Sequence, residues 1–297
     1  MTHKIAKHPL AEVFGFPPDN FSSKAQHYRK HKLCPYNNRV PSCTKDKANA
    51  PLGVCSIHVG DELAITCPIR FRQDWRIASD AAAFLFDASA TWTSFTRVSL
   101  NDANGQSVGD IDVVLVAYDD RGKLLDFGSL EVQSAYTFGN IRSPFEFYLA
   151  SPEEHCDMDW SGRSLYPRPD YLSSLHRRLT PQLIYKGGIL NTWQKKMVIA
   201  LHSGFYKMMS ELPEVPQASA NLAWFIYDLA YDNAQNVYQL VLTRTVYTQF
   251  KPALDVITTL VPGPVEDFLA RLQGKLDESL EEYNPPDAPV LTDIVVV

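Results

Sequence analysis

The chain has 297 residues, of which 45% are hydrophobic, 21% are charged and 11% are aromatic. This is the composition of a globular protein, and it excludes collagen, coiled coil and intrinsic disorder. No apolar run reaches the ~18 residues that a membrane span needs, and the N-terminus lacks the apolar core of a signal peptide, so a cytoplasmic protein without disulfides is expected.

The net charge of −6 is unevenly distributed along the chain. Residues 1–80 carry 12 Lys and Arg against 7 Asp and Glu, and they also hold five of the eight His. Residues 251–297 carry 3 Lys and Arg against 9 Asp and Glu. A basic front could face a polyanion while an acidic tail faces away. An ordinary solvated surface would explain the same pattern.

The first predicted element is a loop-rich segment, residues 34–67, that holds four of the five cysteines. These are Cys34, Cys43, Cys55 and Cys67. Thiolates are soft ligands suited to tetrahedral zinc or iron, and a bound metal would supply the folding energy of a segment with few apolar residues. We therefore predict a four-cysteine metal site. Two disulfides or four unrelated thiols are the alternatives.

A β-hairpin is the clearest prediction in the middle of the chain. Residues 77–88 have the composition of a helix, and residues 111–118 (IDVVLVAY) are almost continuously apolar, as in a strand covered on both faces. Asp and Gly in residues 119–123 favour a turn, and residues 124–135 read as the returning strand.

Four further elements are predicted in the C-terminal half. Residues 189–210 carry apolar side chains at helical spacing, which predicts a helix. Residues 222–229 and 237–248 read as a second strand pair. Residues 264–283 predict an amphipathic helix with Pro264 near its first turn, before a Pro-rich linker and an apolar tail.

Three polar residues of the predicted hairpin are candidates for chemistry. Asp112 begins one strand, and Glu131 and Gln133 lie on one face of the other, because side chains alternate along a strand. Two carboxylates brought together there would repel each other, and a divalent cation such as Mg²⁺ would relieve the repulsion. Such a cation also assists attack of water on phosphate. These three residues are the predicted catalytic residues.

This arrangement resembles the PD-(D/E)xK nuclease site, with Gln133 where lysine is usual. The surrounding residues resemble the NotI family of type II restriction endonucleases. The similar runs are residues 109–116, 126–133 and 139–145, together with the cysteine segment around Cys34-Pro35, Cys43, 51–56 and 67–71.

The resemblance implies an α/β restriction-endonuclease-like core, a mixed sheet flanked by helices, with a small four-cysteine subdomain. It places that subdomain (34–67) in an N-terminal region, 1–76, and the nuclease core in 77–297. It also implies that Asp112 and Glu131 bind Mg²⁺, that the four cysteines hold a structural iron, with zinc as the alternative, and that a homodimer cleaves double-stranded DNA. One departure is Arg97, near which family members place a glutamate; Asp110 is a possible substitute.

Basic residues near these segments are candidates for contacts with DNA. They are Arg70, Arg72, Arg76 and Arg142. Arginine can bind phosphate or form a bidentate contact with guanine. Two other functions stay open at this point: a structure-specific nuclease, and a non-catalytic DNA-binding protein with a four-cysteine metal knot and a degenerate core.

Overall fold

The computed structural model describes residues 6–47, 50–260 and 262–281, which form a mixed α/β fold. The strands are β1 (Leu10–Val13), β2 (Asp46–Lys47), β3 (Ala50–Pro51), β4 (Val54–Val59), β5 (Glu62–Ile65), β6 (Trp92–Asn101), β7 (Ser107–Tyr118), β8 (Leu124–Gln133), β9 (Tyr136–Phe138), β10 (Arg168–Asp170), β11 (Met197–His202), β12 (Leu222–Asp232) and β13 (Val237–Thr248).

The structure also contains ten α-helices within the residues that it describes. They are α1 (Ser23–His31), α2 (Arg76–Leu85), α3 (Arg142–Ala150), α4 (Pro152–His155), α5 (Tyr171–Ser174), α6 (Thr180–Gln182), α7 (Gly188–Thr192), α8 (Ser203–Tyr206), α9 (Phe250–Thr258) and α10 (Val265–Glu281). Two π-helical stretches, Leu175–Leu179 and Leu183–Gly187, join α5, α6 and α7 into one run, which we call the 171–192 helix. Short 3-10 turns lie at Pro68–Trp75 and Gln217–Ser219.

The central sheet has six strands in the order β13-β12-β11-β8-β7-β6. Strands β6, β7 and β8 form an antiparallel meander, and β8, β11 and β12 run parallel to one another. The predicted hairpin (β7 and β8) and the predicted second pair (β12 and β13) are confirmed, as is the central position of the apolar run, since residues 113–117 are buried. The mixed sheet flanked by helices agrees with the expected fold class.

Two apolar layers pack against opposite faces of this sheet. Helix α2 lies on one face, where Gly128 of β8 lets Leu85 approach; a Cβ atom at Gly128 would lie 2.6 Å from the Leu85 side chain. The 171–192 helix and α9 lie on the other face, packed against Ile199 and Leu201 of β11. These two residues pair with Glu131 and Gln133, so the polar residues of β8 face the 171–192 helix.

The predicted helix over residues 189–210 is wrong. The helix ends at Thr192, and β11 follows as a fully buried strand between β8 and β12. A strand buried on both faces has no alternation of polar and apolar residues, so its sequence cannot be told from a buried helix by periodicity.

A buried polar network joins the N-terminal region to the central sheet. Strands β1, β4 and β5 form a separate three-stranded sheet, and Glu12 of β1 pairs with Arg70 at 2.9 Å, both side chains being fully buried. Arg70 also donates to the carbonyl oxygen of Tyr238 on β13 at 2.8 Å. The prediction that Arg70 contacts DNA is therefore wrong, because its guanidinium is enclosed and bonded within the protein.

The chain divides into two compact units, one ending at Thr258 and the other beginning at Thr259. The described part of the second unit contains α10, in agreement with the predicted amphipathic helix. The predicted linker and apolar tail, residues 284–297, lie outside the described residues. Among the helices that the structure describes, none is long and apolar enough to cross a membrane.

Candidate active site

The candidate site lies where β7 and β8 separate. Their backbone pairing runs as far as Val113 and Leu130, and Asp112 and Glu131 are the next residues on the two strands. One carboxylate oxygen of Asp112, Oδ2, accepts a hydrogen bond from the backbone N–H of Val132 at 2.9 Å. The Asp112 side chain thus occupies the opening between the strands, beside Glu131. The structure brings the two predicted carboxylates together.

Glu131 is enclosed, with no exposed surface. The pKa of the Glu131 carboxyl group is raised from 4.5 to about 8, mainly by burial and also by the neighbouring negative charge of Asp112, while Lys186 acts in the opposite direction. Desolvation and a like charge both disfavour the ionised form of a carboxyl group. The pair therefore has the electrostatic property expected of a cation-binding site, because a bound cation would stabilise both charges.

Gln133 completes a set of oxygen atoms on the same face of β8. Its amide Nε2 donates to Oε1 of Gln182 at 2.5 Å, and its own Oε1 is buried without a hydrogen-bond partner. A buried polar atom without a partner costs free energy unless a water or an ion satisfies it. Two carboxylates and an amide oxygen suit a hard cation such as Mg²⁺, which also keeps several waters. The residues present therefore fit the expected cofactor.

The 171–192 helix covers this face of the site and supplies polar residues that the sequence analysis did not connect with it. Arg178, Gln182 and Lys186 follow one another at intervals of four, which places them along one side of the helix. Arg178 donates to the carbonyl oxygen of Val132 at 3.2 Å, and the Nζ of Lys186 donates to the two oxygens of Glu131 at 3.0 and 3.2 Å. Their regular spacing was the signal available in the sequence.

Arg97, near which the resemblance places a glutamate, forms an ion pair with Asp110, the possible substitute for that acid. It lies on the edge strand β6 between Thr96 and Val98, which pair with Val113 and Ile111 of β7, and has a left-handed backbone (φ 58°). Its side chain pairs with Asp110 at 3.5 Å. Both side chains are exposed to solvent. The carboxylate of Asp110 is therefore committed to Arg97, and its backbone carbonyl oxygen accepts from Lys186 Nζ at 2.5 Å.

The remaining three candidate arginines lie in different places. Burial lowers the pKa of Arg72, and the charge of Asp112 opposes this shift, so Arg72 lies within electrostatic reach of the site. Arg76 lies beside β13, where its guanidinium is 3.4 Å from the carbonyl oxygen of Leu240. Arg142 pairs with Asp46 and Glu146 at the edge of an open groove of about 460 Å³. Of the three, Arg72 therefore remains the candidate for a DNA contact near the carboxylates.

The four cysteines line one small cavity of about 10 Å³, roughly the space of one water-sized sphere. All four are free thiols, and burial raises the pKa of Cys34 to about 11 and that of Cys55 well above its usual value. Apolar side chains such as Phe14 and Leu52 form the rest of the wall. Within the described ranges, no group of three or more His, Cys, Asp or Glu has an arrangement that could hold a metal ion.

Comparison with known proteins supports the assignment suggested by these features. A family model described as "Restriction endonuclease NotI" matches residues 19–240, which is well over half of the chain. The match includes all four clustered cysteines, the hairpin and the 171–192 helix. A search of curated proteins found no match.

Proposed function

The chain belongs to the NotI family of restriction endonucleases, and from this premise we propose that it is a type II enzyme that hydrolyses phosphodiester bonds within a specific sequence of double-stranded DNA, with Mg²⁺ as cofactor. The observation that carries the proposal is the convergence of Asp112, Glu131 and the unpartnered amide oxygen of Gln133 at the opening between β7 and β8.

Each residue has a distinct part in the proposed reaction. Asp112 and Glu131 hold the cation, which supplies positive charge against the negative charge of the phosphate. Gln133 orients the attacking water by hydrogen bonding, since an amide can donate and accept but carries no charge. The water oxygen bonds to phosphorus, the bond from phosphorus to the leaving sugar oxygen breaks, and protons exchange with solvent at both oxygens.

A plasmid digestion tests this proposal directly. The purified protein with Mg²⁺ is expected to produce discrete fragments with uniform ends from a large sequenced DNA, and to produce none with EDTA. Glu131→Gln is expected to lower the cleavage rate by at least ~100-fold, whereas Glu154→Gln, on the exposed helix α4, leaves it unchanged. Smears or nicks would indicate a structure-specific nuclease. DNA binding without cleavage would indicate the non-catalytic alternative.

We also propose that the four thiols bind a structural iron, with zinc as the alternative. The shared cavity, its size and the absence of disulfides among the described cysteines support this proposal. The thiols would have to ionise and turn toward a common centre, since thiolates are the ligands. Metal analysis of the purified protein is expected to find one metal ion per chain. Iron would give a thiolate-to-iron absorption band, and zinc would give none. The Cys55→Ser variant is expected to lose the bound metal. A metal-free, stably folded wild type would contradict the proposal.

A homodimer is the expected functional state, because a two-fold protein matches a palindromic DNA site. Helix α10 offers a row of exposed apolar side chains along one side, Val265, Phe268, Leu269, Leu272 and Leu276. Light scattering is expected to report a dimer for the full chain and a monomer for a Leu272→Glu/Leu276→Glu variant. A monomeric wild type at micromolar concentration would contradict this proposal.

A further inference from the structure

We propose that Lys186, on the 171–192 helix, is the positioning residue of the candidate active site: its ammonium group holds the Glu131 carboxylate in place and supplies the positive charge that Gln133 cannot provide. This inference rests on the proposed function. It adds a residue that lies 53 positions beyond Gln133 in the chain and belongs to a different layer of the fold.

The first argument is the position of the ammonium group. Lys186 Nζ lies 3.0 and 3.2 Å from the two oxygens of Glu131 and 2.5 Å from the carbonyl oxygen of Asp110. It therefore joins β7 and β8 at the place where their own pairing has ended. An ammonium group has three N–H donors, so it can satisfy the freed backbone carbonyl and still hold the carboxylate.

The second argument is burial. The side chains of Lys186 and Glu131 are 6% and 0% exposed. A lysine is almost never buried to this extent without a partner, because removal of the charge from water is expensive. A lysine kept in such a place by a single carboxylate, itself crowded by Asp112, is better explained by the charge it brings than by stability.

The third argument is the form of the helix. Lys186 lies in the second of the two π-helical stretches, Leu183–Gly187. π-Helical turns are rare and occur frequently at functional sites. The row formed by Arg178, Gln182 and Lys186 reaches Val132, Gln133 and Glu131 respectively, so the helix contacts three successive residues of β8.

These contacts define what Lys186 does. A phosphate entering the opening adds negative charge to a site that already holds Asp112 and Glu131, and Gln133 is neutral. The ammonium group offsets part of that charge, and by holding Glu131 it fixes the carboxylate in the orientation that cleavage requires. Lys186 forms no covalent bond in this role.

Removal of Lys186 has two opposite consequences, and this makes the proposal testable. Without the ammonium group, the carboxylates lose a competing cation, so Lys186→Ala is expected to bind Mg²⁺ about 10-fold more tightly when Mg²⁺ alone is titrated by calorimetry. At saturating Mg²⁺, its single-turnover cleavage rate is expected to fall at least ~100-fold. A variant that merely unfolds would lose both properties.

The closing experiment is chemical rescue of Lys186→Ala. Ethylammonium chloride is expected to raise the cleavage rate of the variant at least ~10-fold. Tetramethylammonium chloride at the same concentration has no N–H donor and is expected to leave the rate unchanged. Lys195→Ala is the matched control, because Lys195 also pairs with an acidic residue of β8, Asp126, at 2.6 Å. This variant is expected to cleave DNA at the wild-type rate. Lys186→Arg, which keeps the charge, should retain more activity than Lys186→Ala.

The outcomes separate this inference from the proposed function. A wild type that never cleaves DNA contradicts the proposed function. If the wild type cleaves DNA, two results would overturn the role of Lys186 and leave the proposed function standing. One is a Lys186→Ala variant that cleaves at the wild-type rate. The other is a Lys186→Ala variant that binds Mg²⁺ more weakly than the wild type and does not respond to ethylammonium.

Discussion

Glu12 and Arg70 form an ion pair in which neither side chain has any exposed surface, with 2.9 Å between Glu12 Oε1 and Arg70 Nε. Ser56 and Tyr36, from the cysteine region, also donate to the Glu12 carboxylate, at 2.7 and 3.4 Å. Arg70 in turn stacks over the ring of Tyr36 and bonds to Gln73. The network links β1, the cysteine segment and β13 through charged groups that have no contact with water.

Removal of one partner of this pair is expected to destabilise the protein strongly. Arg70→Met leaves Glu12 buried and unpaired, and we expect a loss of about 3–5 kcal/mol in the free energy of unfolding. Arg76→Met, at an exposed position, is expected to change it by less than about 0.5 kcal/mol. Urea unfolding of the two variants measures the difference. A double variant, Glu12→Gln/Arg70→Met, should recover part of the loss; equal stability of Arg70→Met and the wild type would refute this role.

Arg72 is expected to bind DNA, and Arg76 serves as its control. Arg72 lies within electrostatic reach of Asp112, whereas Arg76 lies beside β13. Arg72→Ala is expected to weaken DNA binding about 10-fold, measured with Ca²⁺ in place of Mg²⁺. The slope of the logarithm of the binding constant against the logarithm of the salt concentration is expected to become shallower by about one. The prediction fails if Arg76→Ala weakens binding as much as Arg72→Ala does.

His8 is expected to make the protein less stable in mild acid. Burial lowers the pKa of His8 from 6.5 to about 4, so between these values the unfolded chain binds a proton that the folded protein does not. This contribution to stability is complete above pH 6.5 and falls as the pH decreases toward 4, by about 2–3 kcal/mol.

The matched variant for this prediction is His8→Asn. Nδ1 of His8 lies 2.9 Å from the carbonyl oxygen and 3.1 Å from the backbone nitrogen of Leu10, and an asparagine amide can bond to either group without titrating. The unfolding free energy of the variant, measured in urea from pH 7 to 4, should decrease less than that of the wild type. Parallel pH profiles for the two proteins would show that His8 does not cause the acid sensitivity.

Gly139 is expected to tolerate no side chain. It has φ 86°, and a Cβ atom there would lie 2.6 Å from the carbonyl oxygen of Leu165, part of the same groove that Arg142 lines. Gly105, with φ 76°, has open space around it. Gly139→Ala combines backbone strain with a clash and should cost at least ~2 kcal/mol more than Gly105→Ala, which carries the strain alone. Similar melting temperatures for the two variants would contradict this expectation.

The sequence predicts the hairpin and the three polar residues on it, because local patterns determine both. Alternation along a strand puts Glu131 and Gln133 on one face, and a short turn returns that face to Asp112. The structure also brings the four cysteines to one cavity, although their spacing did not determine a ligand geometry.

Features that depend on distant residues were missed. Strand β11 lacks alternation because both of its faces are buried, and its apolar residues repeat at intervals that a helix would also show. Arg70 lies in a basic and aromatic run that suggested a surface, and only its partner Glu12, 58 positions away, explains its burial. No local pattern indicates the contact of Lys186 with Glu131, because it spans 55 positions.

The pairing of β8 with β11 also governs when the protein can become active during its synthesis. Residues 129–133 pair with residues 197–201, and the intervening chain contains the helix that covers Glu131. A nascent chain that has left the ribosome only as far as Gln133 therefore has both acidic side chains but neither the neighbouring strand nor the helix. Because this pairing is long-range, the candidate site can be complete only after residue 201 has left the ribosome.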